Sequence, residues 1–505
     1  MLSGCAVASP ISTKNQVGSG RVIKLYPDRS LSDQLTQRYT TYEVETDFVL
    51  KGQVVAIPEG CTLVFNGGTL SNGTLVGSNT TILLKQESPV FDDVKLKGSF
   101  KAEEFPLNAY KSNKLDYFYS FLQAFSGTKL YLSEDYSVTE YLGESDGTTP
   151  TDLTIDGRGH KLTLYSFGAY KVRNCSLKDI AIECRNNIDP KNGWKTDKFT
   201  FGIVGNESIS TLELNNVTFT KVCGFAYFRG FAKLKIENCI EEGSYFFVYD
   251  CENVYFKNNS IKNAANGYYS IGKQSASGKV QIHDNQFRNI KGGGIVLTGG
   301  LKYNVSIANN ILEKVGGGGA TKACVNIHHR GIINVSNNKI VANVGAVTLD
   351  IDAAGKGYYN DETVVTVEKN DIRNVAGDTS IHGMALVGLG KLYFCNNKIK
   401  DQLFYFWDTP YMEFTNNTVA FSKGFDKNTT IGKMSTHETT ENKKYNHIYK
   451  NNVFGIPYAK SYVKFEYLSK APVQIKGERN RNSTQVQFVD QYKKFKASGD
   501  IKIYK

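Results

Sequence analysis

The residues best suited to chemistry fall between positions 326 and 362: Asn326, His328, His329, Arg330, Asp350, Asp352, Asp361 and Glu362. A histidine, several carboxylates and a guanidinium in one place support two reactions. β-Elimination needs a cation to neutralise a uronate carboxylate and a base to take the neighbouring proton. His328 is the candidate base or proton relay, and Arg330 and Lys273 are the candidate cations. Hydrolysis needs two carboxyl groups acting as acid and base, which Asp350 and Asp352 supply. Asp350, Asp352, Asp361 and Glu362 together also form an oxygen-rich set of the kind Ca²⁺ takes. The plain alternative is a polar strand carrying a surface ion pair.

These residues must be positioned by the short strands that carry them. Apolar residues alternate in Ala226-Tyr227-Phe228-Arg229, Phe246-Phe247-Val248-Tyr249, Ile295-Val296-Leu297-Thr298, Val325-Asn326-Ile327-His328, Val347-Thr348-Leu349-Asp350, Met384-Ala385-Leu386-Val387 and Phe404-Tyr405-Phe406-Trp407. If the apolar set faces inward, a period of two sends the others outward. The outward pairs are then Tyr227/Arg229, Phe247/Tyr249, Val296/Thr298, Asn326/His328, Thr348/Asp350, Ala385/Val387 and Tyr405/Trp407. Tyr269 belongs to a strand that fits less cleanly. This alignment sets His328 beside Asp350 at about 5 Å, with Asp352 on the same face. Aromatic residues flank the polar centre on both sides. Sugar rings stack on aromatic faces while polar groups orient their hydroxyls. Tyr227, Arg229, Phe247, Tyr249, Tyr269, Asn326, Tyr405 and Trp407 are therefore the expected glycan-binding residues. The competing reading packs these rings under loops such as 353–364.

After most of these strands comes one repeated phrase: apolar, any, apolar, then a polar residue and asparagine. Examples are Val254-Tyr255-Phe256-Lys257-Asn258-Asn259, Val280-Gln281-Ile282-His283-Asp284-Asn285, Val305-Ser306-Ile307-Ala308-Asn309-Asn310 and Ile333-Asn334-Val335-Ser336-Asn337-Asn338. Asn259 to Asn285 is 26 residues, Asn285 to Asn310 is 25 and Asn310 to Asn338 is 28. Such a period marks a solenoid whose strands stack coil on coil. The asparagines should then fall above one another, and Ile261, Phe287, Leu312, Ile340, Ile372, Ile399, Val419 and Phe454 should restart an inward strand. The pattern resembles the right-handed parallel β-helix of the pectin-lyase-like superfamily, which includes polysaccharide lyases, glycoside hydrolases and phage tailspikes. The resemblance implies an all-β solenoid, and one such fold hosts many activities. No Asn-Thr-Asp or Gly-His-Gly motif of the polygalacturonase type occurs.

The chain divides into a leader and linker (1–40), an entry module with a capping helix (41–149), the β-helix (150–455) and a basic C-terminal cap (456–505). In the entry module, Asn66-Gly67-Gly68 and Asn72-Gly73 read as tight turns between short strands. Residues 115–125 carry apolar side chains at helical spacing, so a helix is expected to cover the open end of the solenoid. The terminal strands could cap the solenoid or mediate oligomerisation. Leu2-Ser3-Gly4-Cys5 resembles a bacterial lipobox, which would place the protein outside the cytoplasm with a lipid anchor at Cys5. No run of about 18 apolar residues exists to span a membrane. The nine cysteines show no metal-ligand spacing, and Cys175 and Cys239 read as buried small side chains. A net charge of +11 favours anionic partners, but no basic helix or nucleic-acid motif appears. The sequence thus predicts an exported protein that binds, and by β-elimination in preference to hydrolysis cleaves, an acidic polysaccharide. The alternative is a non-catalytic adhesin or tailspike-type receptor-binding protein.

Overall fold

The two asparagines of each phrase have different tasks. The first turns the chain: Asn258, Asn309, Asn337, Asn396, Asn416 and Asn451 all sit at φ between +54° and +59°. Asparagine tolerates this left-handed region better than most residues. The second points inward and is buried, from Asn259 through Asn285, Asn310, Asn338, Asn370, Asn397 and Asn417 to Asn452. From Asn285 onward, each Oδ1 accepts from the backbone N–H and the side-chain amide of the asparagine one coil earlier. For Asn259 and Asn285 these bonds measure 2.8 and 3.0 Å, and for Asn285 and Asn310 both are 2.9 Å. The ladder begins at the Cys239 N–H and ends on Asp500, which accepts from Asn480. Every buried amide of the ladder is therefore satisfied by its neighbour, which fixes the register of the coils.

The computed structural model describes residues 22–140, 150–184, 201–206, 209–220, 222, 224–272, 277–299, 302–317, 323–353, 360–374, 383–422, 430–435, 443–455, 463–468, 471–481, 486–501 and 503–504. Its strands form three stacked parallel faces. The first carries the phrase, pairing Val254 with Val280, Val280 with Val305 and Val305 with Ile333. The second follows the asparagine corner, pairing Ile261 with Phe287, Phe287 with Leu312 and Leu312 with Ile340, and it continues through Ile372, Ile399 and Val419 to Phe454. The third runs from Phe167–Val172 to Ile503–Tyr504 and carries the candidate site. Between the faces lies one continuous apolar core that includes Leu349. An inward carboxyl interrupts it: Glu241 stacks between Phe219 and Ile261, fully buried.

The helix is present as Leu115–Ala124. It buries Phe118, Phe121 and Leu122, and Phe121 packs on Tyr110 at 4.5 Å and Phe105 at 5.7 Å between ring centroids. It covers apolar interior at the N-terminal end of the regular coils, and further parallel strands precede it. There Thr41 pairs with Thr62, Thr62 with Thr81, Leu70 with Phe91 and Phe91 with Tyr110, all in parallel. The tight turns expected between short strands at Asn66-Gly67-Gly68 and Asn72-Gly73 are therefore corners of coils. Asn72 (φ +51°) and Gly67 (φ +111°) supply left-handed corners, not hairpin reversals. Parallel pairing also continues past Phe454 through Val463–Leu468, Val473–Glu478 and Val486–Asp490. The described cysteines are free, with Cys175 and Cys239 buried; Cys5 lies outside the described residues. Among the described residues no helix is long and apolar enough to cross a membrane.

Candidate functional site

On the third face, period-two alternation sorts side chains into inward and outward rows. One outward row reads Tyr227, Phe247, Tyr269, Val296, Asn326, Asp350, Ala385, Tyr405 and Lys433, each paired with the next. The parallel row holds Arg229, Tyr249, Ile271 and Thr298, then, beyond His328, which follows the end of the strand Ala323–Ile327, Asp352, Val387 and Trp407. Tyr269 fits this row, although the inward positions beside it, Tyr268 and Ser270, blur the apolar alternation in the sequence.

The early aromatic flank is a contiguous cluster. Tyr227 stacks on Phe247 with centroids 5.6 Å apart, and Phe247 meets Tyr269 at 5.3 Å. The Arg229 guanidinium lies 4.8 Å from the Tyr249 ring centroid and 3.5 Å from an oxygen of Asp250. Phe225 and Tyr245, which the sequence reading passed over, extend the cluster beside Tyr227 and Phe247. On the far flank Tyr405 and Trp407 meet edge to face at 6.1 Å. Tyr227, Phe247, Tyr249, Tyr269, Tyr405 and Trp407 are all half-buried, with part of each side chain at the surface.

At the centre, His328 Nε2 lies 3.7 Å from Asp350 Oδ2, an ion-pair distance longer than a hydrogen bond. The His328 side chain is 44% exposed and that of Asp350 28%, so both are accessible. Asp350 raises the His328 pKa above its ordinary value; burial opposes this, and Asp352 adds to the rise. Imidazolium is thereby favoured, which suits a proton donor or relay and hinders a free base near neutral pH. Asn326 Nδ2 donates to Asp350 Oδ2 at 3.4 Å. Asp352 stands two residues beyond Asp350 on the same strand, roughly 7 Å away along it.

Several expectations need correction. Asn326 pairs with Asp350, and Ile327 with Ile351, so the row partner of Asn326 is Asp350 and not Thr348. Thr348 is buried, and its hydroxyl is tied to Gly383 O and, at 2.8 Å, to Gln402. Arg330 does not share the face by strand alternation. The strand Ala323–Ile327 ends before it, and the Arg330 carbonyl, past the corner, accepts from Tyr303 N at 3.1 Å. His329 turns inward, is 2% exposed and packs near Tyr303. Asn326 and Val296, though on the outward row, are only 6% and 0% exposed, so the face is not open along its whole length. Lys273 lies outside the described residues, as does the side chain of Asp361. Among the described residues no group of three or more His, Cys, Asp or Glu side chains is placed to hold a metal ion. Lys433, exposed on the coil after Tyr405, was missed; the Thr430–Ser435 alternation was the available signal.

Three parallel faces, left-handed asparagine corners and an unbroken buried amide ladder decide the fold. The chain is a parallel β-helix. No protein family matches its sequence, and no curated protein does. A solved structure that overlaps this β-helix is the catalytic domain of a GH87 α-1,3-glucanase in complex with tetrasaccharides. The two are 11% identical, the overlap covers 98% of this chain and 70% of that one, and the TM-score is 0.18. A likeness of that size has no bearing on what the β-helix does.

Proposed function

We propose that the third face of the β-helix binds a polymeric glycan and that Asp350, Asp352 and His328 hydrolyse a glycosidic bond there. The observation that carries this is the contact of His328 with Asp350 on one accessible face, with Asp352 beside them and aromatic clusters on either side. Two carboxyl groups divide the work of acid and base. His328, whose imidazolium form Asp350 favours, relays a proton to or from that carboxylate. Tyr405 and Trp407, with the Tyr227–Phe247–Tyr269 cluster, support the sugar rings beside the centre.

Hydrolysis is favoured over β-elimination because elimination needs a cation aimed at a uronate carboxylate. On the described strand rows the centre presents the carboxylates Asp350 and Asp352, and His328 beside them is already engaged by Asp350. The test is a screen of soluble polysaccharides with two readouts. New reducing ends without near-ultraviolet absorbance support hydrolysis. Absorbance from a new C=C bond would replace it with a lyase, and binding without either would leave a glycan-binding protein.

A further inference from the structure

Asn326 Oδ1 is a buried acceptor with no hydrogen-bond partner. Its residue is 6% exposed, and its Nδ2 is committed to Asp350 Oδ2 at 3.4 Å. Rotating the amide would turn its carbonyl against a carboxylate, so the orientation is fixed by Asp350. Buried acceptors in folded proteins are almost always bonded, and an orphan one is costly. This one lies beside the two side chains at the heart of the site, and what it lacks is a donor.

The charge around it points the same way. Asp350 and Asp352 both stand on this face, and His328 lies beside them, 3.7 Å from Asp350. The rows before the centre carry Val296, Thr298, Tyr269 and Ile271, and the rows after it carry Ala385, Val387, Tyr405 and Trp407. Among the described residues the next lysine or arginine on those rows, Lys433, is three coils beyond Asp350, roughly 14 Å along the stack. Among the described residues of these rows, a uronate carboxylate at the centre would meet two carboxylates and one buried carbonyl, with His328 beside them. A hydroxyl group would meet three acceptors.

We infer that the centre of this face takes a neutral, hydroxyl-presenting sugar ring and that Asn326 Oδ1 reads one of its hydroxyls. This rests on the third face being a glycan site, and it replaces the acidic polymer suggested by net charge with a neutral one. The +11 charge belongs to lysines and arginines spread over the molecule, so acidic polymers bind it away from the centre and in a salt-sensitive way.

Native-gel retardation of the full chain tests this with glucan, mannan and galactan as neutral probes and alginate and polygalacturonate as acidic ones. The salt is about 0.5 M, where the screening length is about 4 Å. Retardation by a neutral polymer is expected, with none by the acidic ones. Asn326→Leu should then weaken that binding about tenfold, one hydrogen bond's worth, while leaving the melting midpoint unchanged or higher. If the leucine variant does not fold, Asn326→Ala makes the same comparison. Salt-resistant binding of acidic polymers alone would overturn the neutral-sugar inference and leave the glycan site standing. Unchanged neutral binding by a folded Asn326 variant would overturn the role of Asn326. Failure of every polymer to bind would overturn the glycan site itself.

Discussion

Asn310→Ala removes an amide bonded on both sides. Its Oδ1 accepts from Asn285 N and Nδ2, both at 2.9 Å, and its Nδ2 donates to Ile282 O at 2.8 Å and Asn338 Oδ1 at 2.9 Å. The residue is 1% exposed, so bulk water does not replace these bonds. Some partners survive the truncation: Asn285 Nδ2 keeps Phe256 O, and Asn338 Oδ1 keeps the Asn310 backbone N–H. The Asn285 N–H is left bare, and Ile282 O loses one bond. At about 1–3 kcal/mol for each orphaned buried group, the loss is about 2–6 kcal/mol. Asn309→Ala is the control, because Asn309 is exposed and bonds Asp284 at 3.1 Å, so its cost is mainly that of alanine at φ +59°. That cost is about 1–2 kcal/mol. Solenoid coils couple chiefly to their neighbours, so hydrogen exchange should accompany the urea midpoint. Asn310→Ala should lower the midpoint more than Asn309→Ala and should strip protection from the Asn285 amide. Equal small shifts with the Asn285 amide still protected would refute the ladder as the element that sets register.

Three further outcomes follow from named groups. Burial raises the Glu241 carboxyl to about 8 from 4.5, with the Ser244 hydroxyl bonded to one oxygen. The unfolded chain therefore loses this proton first, and stability falls as pH rises from 4.5 towards 8. Glu241→Gln should gain up to about 3 kcal/mol over the parent near pH 7 and nothing below about pH 4; a pH-independent difference in midpoint would contradict this. His328 has a raised pKa, so the stability of its pair with Asp350 is full below 6.5 and lost as pH climbs through the higher folded value. The melting-point advantage of the parent over His328→Gln should shrink across that window, and a constant gap would mean the pair does not titrate. Trp407→Ala should weaken glycan binding about fivefold with an unchanged melting curve, the scale of one aromatic contact. Undiminished binding would remove that flank from the site.

The coils were legible because the asparagine phrase fixes two things at once. One residue type suits both the left-handed corner and the buried ladder, and its spacing gives the length of a coil. The strand Val347–Asp352 was harder. A two-residue slip leaves every side chain on the same face, so alternation alone could not tell Thr348 from Asp350 as the row partner of Asn326. Threonine is also polar enough to read as outward, whereas here its hydroxyl is used inside against Gly383 and Gln402. The early coils lack the phrase, and their Asn-Gly corners carry the same residues that make hairpins. Parallel pairing there shows in the structure, in the register of Thr41, Thr62 and Thr81 and of Leu70, Phe91 and Tyr110. Arg330 was misplaced because alternation was carried past Ile327, where the strand ends.

The central claim is that Asp350 and Asp352 perform acid–base chemistry on a glycan held by the third face. Turnover and binding measured together on Asp350→Asn and Asp352→Asn test it most directly. With the polymer that the parent degrades, each variant should release reducing ends at least about 100-fold more slowly while binding within a few-fold of the parent. Undiminished turnover in both variants would contradict the account.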